Sequence, residues 1–219
     1  MTPNHIGGRF MLGDGALTFR EFAMREPLPL ATIHRAVLEF LQAVDDAVLF
    51  GAQAVNAYVD EPRMTQDVDI ASPRAAQLAE QLRDMLNARF HIAVRVREIG
   101  EGRGFRVYQV QKPRNRRLVD VRPVAVLPPA QRVEGIWVVT PEELIAAKVI
   151  AYHRRQGTPK SGTDWRDVAM LLLAFPRLKS SHGPVHERLE AAGADEAVFA
   201  TWEGIVAQEI RAAEDEDDE

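Results

Sequence analysis

Two carboxylates lie two residues apart in the stretch Arg63-Met-Thr-Gln-Asp67-Val-Asp69-Ile70. Valine and isoleucine alternate with the two aspartates, and this alternation predicts a short strand. Side chains at positions i and i+2 of a strand point to the same face, so both carboxylates converge on one point. Like charges held this close repel each other unless a cation lies between them. The pair therefore predicts a divalent-metal site, with a solvent-facing edge strand or a turn as the alternative.

Magnesium suits such a pair, because it takes one or two carboxylates and keeps positions for phosphate oxygens and water. Manganese is a second candidate. A third carboxylate, Asp120, lies in Leu118-Val-Asp-Val-Arg122, where the two valines face one way and Asp120 the other. Asp120 on a neighbouring strand would complete the metal site. The alternative is an ion pair between Asp120 and one of the arginines beside it, namely Arg116, Arg117 and Arg122.

A turn upstream of the aspartates has the composition of a phosphate-binding turn. The apolar run 47–50 predicts a short buried strand, and it stops at Gly51-Ala52 before a predicted helix. Glycine permits a tight turn, and the N-terminus of the following helix offers backbone N–H groups to phosphate oxygens. Gly51 and Ala52 are therefore candidate nucleotide-binding residues.

The elements that must position these residues change character along the chain. Helices are predicted at 17–24, 30–45, 52–58 and 73–89, with strands at 47–50, around 68–70, at 91–97, 105–110 and 118–123. A linker at 124–133 and a strand at 136–139 follow. Helices are then predicted from Thr140-Pro141 to residue 154 and at 164–175, 185–192 and 196–212. This order predicts an α+β fold, with a mixed sheet flanked by helices and a C-terminal helical lobe.

The predicted boundaries follow from that order of elements. An α+β lobe is expected at residues 1–127, with residues 1–15 as a loosely held N-terminal arm. The helical lobe is expected at 128–213, and residues 214–219, which are all acidic, form a solvated tail.

The motifs together resemble the nucleotidyltransferase superfamily that includes DNA polymerase β, and in particular minimal bacterial versions such as AbiEii-type toxins and MNT-like proteins. The resemblance covers about residues 46–175 and is carried by Gly51-Ala-Gln-Ala54, Tyr58 and Arg63-x-Thr65-x-Asp67-x-Asp69-Ile70. It implies that the Gly51 turn, Arg63 and Thr65 bind a nucleoside triphosphate. It also implies that the two aspartates and Asp120 hold magnesium. The family usually has Gly-Gly or Gly-Ser at the turn, where this chain has Gly51-Ala52.

The helical lobe carries a second part of the resemblance. Lys148 lies on a predicted helix and is followed by Arg155, Lys160, Asp164 and Asp167, as in the AbiEii-type pattern. Lysine can place a point charge on phosphate oxygens, and arginine can bind phosphate through two N–H groups. The two aspartates, at i and i+3 in the first turn of the predicted helix 164–175, are accessory candidates. Their structural alternative is stabilisation of the helix dipole together with an ion pair to Arg155.

Charge and composition limit the class of protein. Net charge is −5, but removing the six acidic residues at the C-terminus leaves a body with a charge of +1, so a globally basic nucleic-acid binder is not indicated. The basic run Lys112-Pro-Arg-Asn-Arg-Arg117 is interpreted as a solvated turn or as a landing site for a polyanion such as RNA. There is no cysteine and no apolar run of the roughly 18–20 residues that a membrane span needs. A cytoplasmic protein without a membrane partner is expected.

The expected function is magnesium-dependent transfer of a nucleoside monophosphate from a nucleoside triphosphate to an RNA, such as a tRNA, or to a protein acceptor. By resemblance, Asp120 would serve a second metal ion or act as a base, and Lys148 would neutralise charge on the triphosphate. A cognate antitoxin or toxin is an expected partner. Two alternatives remain open: a nucleotide-binding but inactive homologue, and a partner-binding module whose carboxylates only form ion pairs.

Overall fold

The computed structural model describes residues 28–212 of the 219-residue chain. The predicted arm at 1–15, the helix at 17–24 and the acidic tail at 214–219 lie outside the described residues. Within them the helices are α1 (Leu30–Leu41), α2 (Gly51–Asn56), α3 (Ala75–Phe90), α4 (Pro141–Arg154), α5 (Pro159–Ala174), α6 (Pro184–Ala191) and α7 (Glu196–Ala207). The strands are β1 (Val48–Phe50), β2 (Val68–Ser72), β3 (Val94–Ile99), β4 (Gly104–Gln109), β5 (Arg116–Pro123), β6 (Ala130–Val133) and β7 (Ile136–Val139). The seven strands belong to a mixed sheet, which confirms the predicted α+β class.

The chain divides into two compact units. Of the described residues, the first unit holds 28–47, 63–126 and 134–136, and the second holds 48–62, 127–133 and 137–212. The strand order is β3-β4-β5-β2 in the first unit and β1-β7-β6 in the second.

The first unit pairs its strands in both directions. β3 with β4 and β4 with β5 are antiparallel, whereas β2 and β5 are parallel. Helix α3 packs on β3, β4 and β5. Leu78, Leu82 and Leu86, which are spaced four residues apart, are all fully buried. The spacing places them on one face of the helix, so burying that face fixes α3 against the sheet.

The second unit surrounds a helical core. β1 runs parallel to β7, with Leu49 opposite Val138, and α4 packs on α5, α6 and α7. The fully buried side chains of this unit include Ile145, Leu171 and Trp202. Helix α7 begins with an N-cap, because the Asp195 carboxylate accepts a hydrogen bond from the Val198 N–H at 3.0 Å.

Several predicted boundaries were wrong. Helix α5 begins at Pro159, five residues before the predicted start, and Thr158-Pro159 repeats the start signal of Thr140-Pro141. The predicted linker 124–133 contains strand β6. The helices predicted at 30–45 and 196–212 end at Leu41 and Ala207. Thr140 lies at the N-cap of α4 as predicted, but its hydroxyl makes no capping hydrogen bond.

Among residues 28–212, no helix combines the length and the apolar character that crossing a membrane requires.

Candidate functional site

Three carboxylates come together on one face of the first unit. Val68 and Ile70 are fully buried in β2, while Asp67, just before the strand, and Asp69, within it, are half-buried. Asp120 lies directly opposite Asp69 on the parallel neighbour β5. One carboxylate oxygen from each aspartate lies within 4.8 Å of the others. The structure therefore brings together the three acidic residues, called here the acidic triad, that the sequence predicts as metal ligands.

Two arginines neutralise part of this charge. Arg106 on β4 donates from Nε to Asp120 Oδ1 and from Nη2 to Asp120 Oδ2, both at 2.8 Å. Arg117 donates from Nη1 to Asp67 Oδ2 at 2.8 Å. The hydrogen bonds to Asp120 are the largest influence that raises the pKa of Arg106, and the charges of Asp120, Asp67 and Asp69 act in the same direction. Arg106 therefore interacts with all three carboxylates.

Arg106 is a residue that the sequence analysis missed. The expected partners of Asp120 were its neighbours along the chain, but Arg106 is fourteen residues away and lies opposite Asp120 in the antiparallel β4–β5 pair. A register shift between Val107 and Tyr108 contributes to this alignment. The sequence does show an arginine on the predicted strand before the one that carries Asp120. Alternation alone, however, does not give the register in which two strands pair, so it could not predict this ion pair.

The acidic triad fits a hard divalent cation. Carboxylate oxygens are the ligands that Mg²⁺ and Mn²⁺ accept, and three of them converge within the distance range that one ion can bridge. The two hydrogen bonds from Arg106 engage both oxygens of Asp120, whereas the bond from Arg117 engages one oxygen of Asp67. The ligand set therefore matches the predicted metal, and two of its members, Asp120 and Asp67, are already paired with arginines.

The other predicted nucleotide-binding residues of the first unit lie in the segment before β2. Arg63 donates from Nη1 to the Met64 carbonyl at 3.3 Å. Thr65 has a buried hydroxyl oxygen with no hydrogen-bond partner among the described residues. A buried hydroxyl without a partner is costly, but the Thr65 oxygen itself has no surface that a ligand could reach in this structure.

In the second unit, Gly51 supplies the tight turn that the sequence predicts. Its φ of 73° lies in the left-handed region, which glycine adopts without the steric cost that other residues meet. Phe50 ends β1 and α2 starts at Gly51 itself, so the turn is immediate. Ala52 follows in the first turn of the helix and is half-buried.

The second unit also contains a cluster of paired charges. Lys148 Nζ lies 2.6 Å from Asp167 Oδ2 and 3.7 Å from Asp164 Oδ1, and Arg155 Nη1 donates to Asp164 Oδ2 at 2.8 Å. Asp164 and Asp167 have side chains that are 4% and 0% exposed. The predicted ion pair between Arg155 and Asp164 is confirmed.

The predicted dipole role of the two aspartates was wrong. Because α5 begins at Pro159, Asp164 and Asp167 lie beyond its first turn, where the helix N-terminus has little effect. Lys160 is in that first turn and is exposed. The structure thus pairs Lys148 and Arg155 with buried acids and leaves Lys160 at the surface.

Comparison with known proteins identifies the class. The family model described as "Nucleotidyl transferase AbiEii toxin, Type IV TA system" matches residues 35–217. The chain therefore belongs to this family of nucleotidyl transferases, which confirms the resemblance and the predicted enzyme class. No match was found among curated proteins.

Solved structures agree with this assignment at the level of the fold. The Megavirus polyadenylate synthase is similar with a TM-score of 0.55 and 12% identity over 67% of this chain. The chain spans about a third of that protein, 32% of its length. JHP933 from Helicobacter pylori is similar with a TM-score of 0.55 and 15% identity, covering 81% of this chain and 75% of the other.

Proposed function

We propose that the protein is a magnesium-dependent nucleotidyltransferase that transfers a nucleoside monophosphate from a nucleoside triphosphate to an acceptor. The observation that carries the proposal is the convergence of Asp67, Asp69 and Asp120 within 4.8 Å, in a chain of a nucleotidyl transferase family. When bound, divalent metal would stabilise charge on the attacking and leaving oxygens of an in-line displacement. Manganese would be an alternative ion.

The residues of the first unit would have distinct roles. Asp67 and Asp69 would hold the metal against the phosphates, and Asp120 would be the third ligand or would accept the proton of the acceptor hydroxyl. Thr65 would form a hydrogen bond with the nucleotide by resemblance to the family, which requires its buried hydroxyl to become exposed. Arg63 would place its positive charge near a phosphate.

The roles proposed for the second unit rest on the resemblance and on local chemistry. Gly51 and Ala52 would offer backbone N–H groups to phosphate, and the left-handed Gly51 turn supports a close approach of the ligand to the backbone. Lys148, Arg155 and Lys160 are proposed as phosphate-binding residues. Of these, Lys160 has the exposed position that a ligand could reach without breaking a buried ion pair.

RNA is favoured over protein as the acceptor because of the charge around the acidic triad. Arg97, Arg106, Asp120 and Asp69 are successive partners across four adjacent strands, so they share one face of the sheet. Arg95, two residues from Arg97, lies on the same face. Both Arg95 and Arg97 are exposed. Exposed arginines beside a metal site would attract the phosphates of an RNA strand.

Labelled transfer distinguishes the candidate functions. The purified full chain is incubated with each nucleoside triphosphate labelled at the α-phosphate, with Mg²⁺ and either total tRNA or total cell protein. We expect label on RNA, and a loss of about a hundredfold or more in Asp67→Asn, because a ligand of the metal that stabilises transition-state charge is removed. Asp46→Asn is the matched control, since Asp46 is paired with Arg74 outside the triad, and it should retain activity.

Other results of this experiment would favour one of the two alternative functions. Magnesium-dependent nucleotide binding without transfer to any acceptor would indicate an inactive homologue, for which Ala52 is the relevant departure from the family pattern. Neither binding nor transfer would indicate a partner-binding module. A role as a toxin with a cognate antitoxin predicts growth arrest on expression, which Asp67→Asn relieves.

A further inference from the structure

Both oxygens of the third carboxylate of the acidic triad, Asp120, are already bound by a cation from the protein itself. Arg106 donates one hydrogen bond to each oxygen of Asp120, both at 2.8 Å. The two side chains are 21% and 19% exposed, so the pair is shielded from water more than a typical surface ion pair. Arg117 binds Asp67 more loosely, through one oxygen and with 43% of the arginine side chain exposed.

A divalent cation held by the triad and Arg106 both bind Asp120. Each carboxylate oxygen has two lone-pair positions, and Arg106 occupies one on each oxygen. A metal bound by Asp120 would therefore share an oxygen with the guanidinium or displace it. The guanidinium charge also repels a cation held between the three carboxylates, since Coulomb interactions are strong over a few ångströms in a partly shielded site. Arg106 therefore opposes metal binding to all three carboxylates for as long as its guanidinium stays on Asp120.

From this competition, we infer that Arg106 is a positioning residue that keeps the affinity of the acidic triad for free divalent metal low. The metal then binds together with the nucleotide, whose phosphates add ligands and negative charge. The inference rests on the proposed function, because it assumes that the triad holds a divalent ion. It adds a residue, Arg106, that neither the family pattern quoted above nor the sequence analysis includes.

A second arginine pair in the same unit provides a matched control. Arg74 also contacts both oxygens of one aspartate, Asp46, with the Nη2–Oδ1 distance at 2.9 Å. The pKa of Arg74 is raised mainly by its hydrogen bond to Asp46, and no triad residue contributes. Arg74→Gln thus breaks a pair of the same geometry without changing the charge next to the triad.

The test is Mn²⁺ binding to the full chain without nucleotide, measured from the EPR signal of free Mn²⁺. The variants are Arg106→Gln, Arg74→Gln, Asp67→Asn and Arg106→Gln combined with Asp67→Asn. We expect Arg106→Gln to bind Mn²⁺ about tenfold more tightly than the wild type, because a positive charge beside the ion is removed. Arg74→Gln should match the wild type, and Asp67→Asn should abolish the gain.

Unchanged or weaker binding by Arg106→Gln would overturn the inference. If the wild type nevertheless binds Mn²⁺ and Asp67→Asn abolishes this binding, the proposed metal site stands and only the role of Arg106 is lost. If no variant binds Mn²⁺ at millimolar concentrations, the proposed metal site itself fails. Should Arg106→Gln not fold, Arg106→Met decides, because it removes the same charge with an unbranched side chain. Binding tighter than the wild type supports the inference, and unchanged binding overturns it.

Discussion

Asp167 has no exposed side-chain surface, and its carboxylate lies 2.6 Å from Lys148 Nζ. Asp164, also buried, shares Lys148 and takes a hydrogen bond from Arg155. A buried charge is tolerated only when it is paired. The pairing therefore offsets the cost of burying these charges where α4 packs on α5, whatever part Lys148 has in phosphate binding.

Asp167→Asn is expected to destabilise the chain by about 3–5 kcal/mol, because it leaves Lys148 without its nearest counter-charge in a buried position. Urea unfolding followed by circular dichroism measures this change. Glu190→Gln, which removes the exposed partner of His186, is the control and should cost less than about 0.5 kcal/mol. If Asp167→Asn also lowered the free energy of unfolding by less than about 0.5 kcal/mol, the cluster would not be structural, and a catalytic role for Lys148 would be favoured.

At the scale of elements, Tyr58, just after α2, forms hydrogen bonds to strands β6 and β7 of the second unit. Its hydroxyl donates to the Val139 carbonyl at 3.0 Å and accepts from Gln131 Nε2 at 3.2 Å. Burial raises the pKa of Tyr58 to about 12, partly opposed by the Gln131 hydrogen bond and supported by the charge of Glu142. The folded chain therefore keeps this phenol protonated at pH values where the unfolded chain ionises it.

Tyr58→Phe should cost about 1 kcal/mol at pH 8, where the hydrogen bonds are present in the wild type. The pKa is higher in the folded state, so the contribution of Tyr58 is complete below pH 10 and declines as the pH rises towards 12. The difference between wild type and variant should therefore shrink to about zero near pH 11. Denaturant unfolding of both proteins at each pH measures it, and a difference that stays constant would contradict the account.

Helix α5 begins at a Thr-Pro pair that was not used to predict its start. Thr140-Pro141 and Thr158-Pro159 both begin helices, but only the first was used to predict one. Periodicity detected α5 from Asp164 onwards because the preceding residues are polar or small. Proline at the first helical position is compatible with a helix without any apolar residue, and this was the signal for the true start.

Across the whole molecule, the net charge of −5 conceals an uneven distribution. Six of the acidic residues are the last six of the chain. Within the first unit, arginines lie on the face that carries the acidic triad, and the exposed Arg95 and Arg97 belong to β3 at its edge. Local charge, more than net charge, determines where a polyanion binds.

Replacing Arg95 and Arg97 together by Gln should weaken binding of a labelled single-stranded RNA and reduce its salt dependence. Each phosphate contact contributes about 0.7 to the slope of log K against log salt, so two lost contacts should reduce the slope by about 1.4. The control is the double variant Arg83→Gln and Arg89→Gln on α3, which removes the same amount of charge. In the wild type these two arginines are paired with acidic residues on α3 and on α1. Fluorescence anisotropy over a salt series measures both slopes. Equal slopes for the two double variants would argue against this face as the RNA-binding surface.

The sequence by itself determined the parts that depend on local rules. Alternation in a strand placed Asp67 and Asp69 on one face, since that geometry is set by the backbone. The period of α3 predicted a helix with one apolar face, and Gly51 predicted a tight turn, which the structure shows to be left-handed. The class of protein followed from these motifs in combination.

Tertiary structure alone decided which charges meet. Arg106 reaches Asp120 because the β4–β5 register aligns them, and register depends on pairing between distant segments. Lys148 meets Asp167 because α4 packs on α5, and the packing of helices is likewise non-local. The acidic triad could thus be predicted residue by residue, whereas the arginine that competes for it could not, because ion pairs between elements require the folded chain.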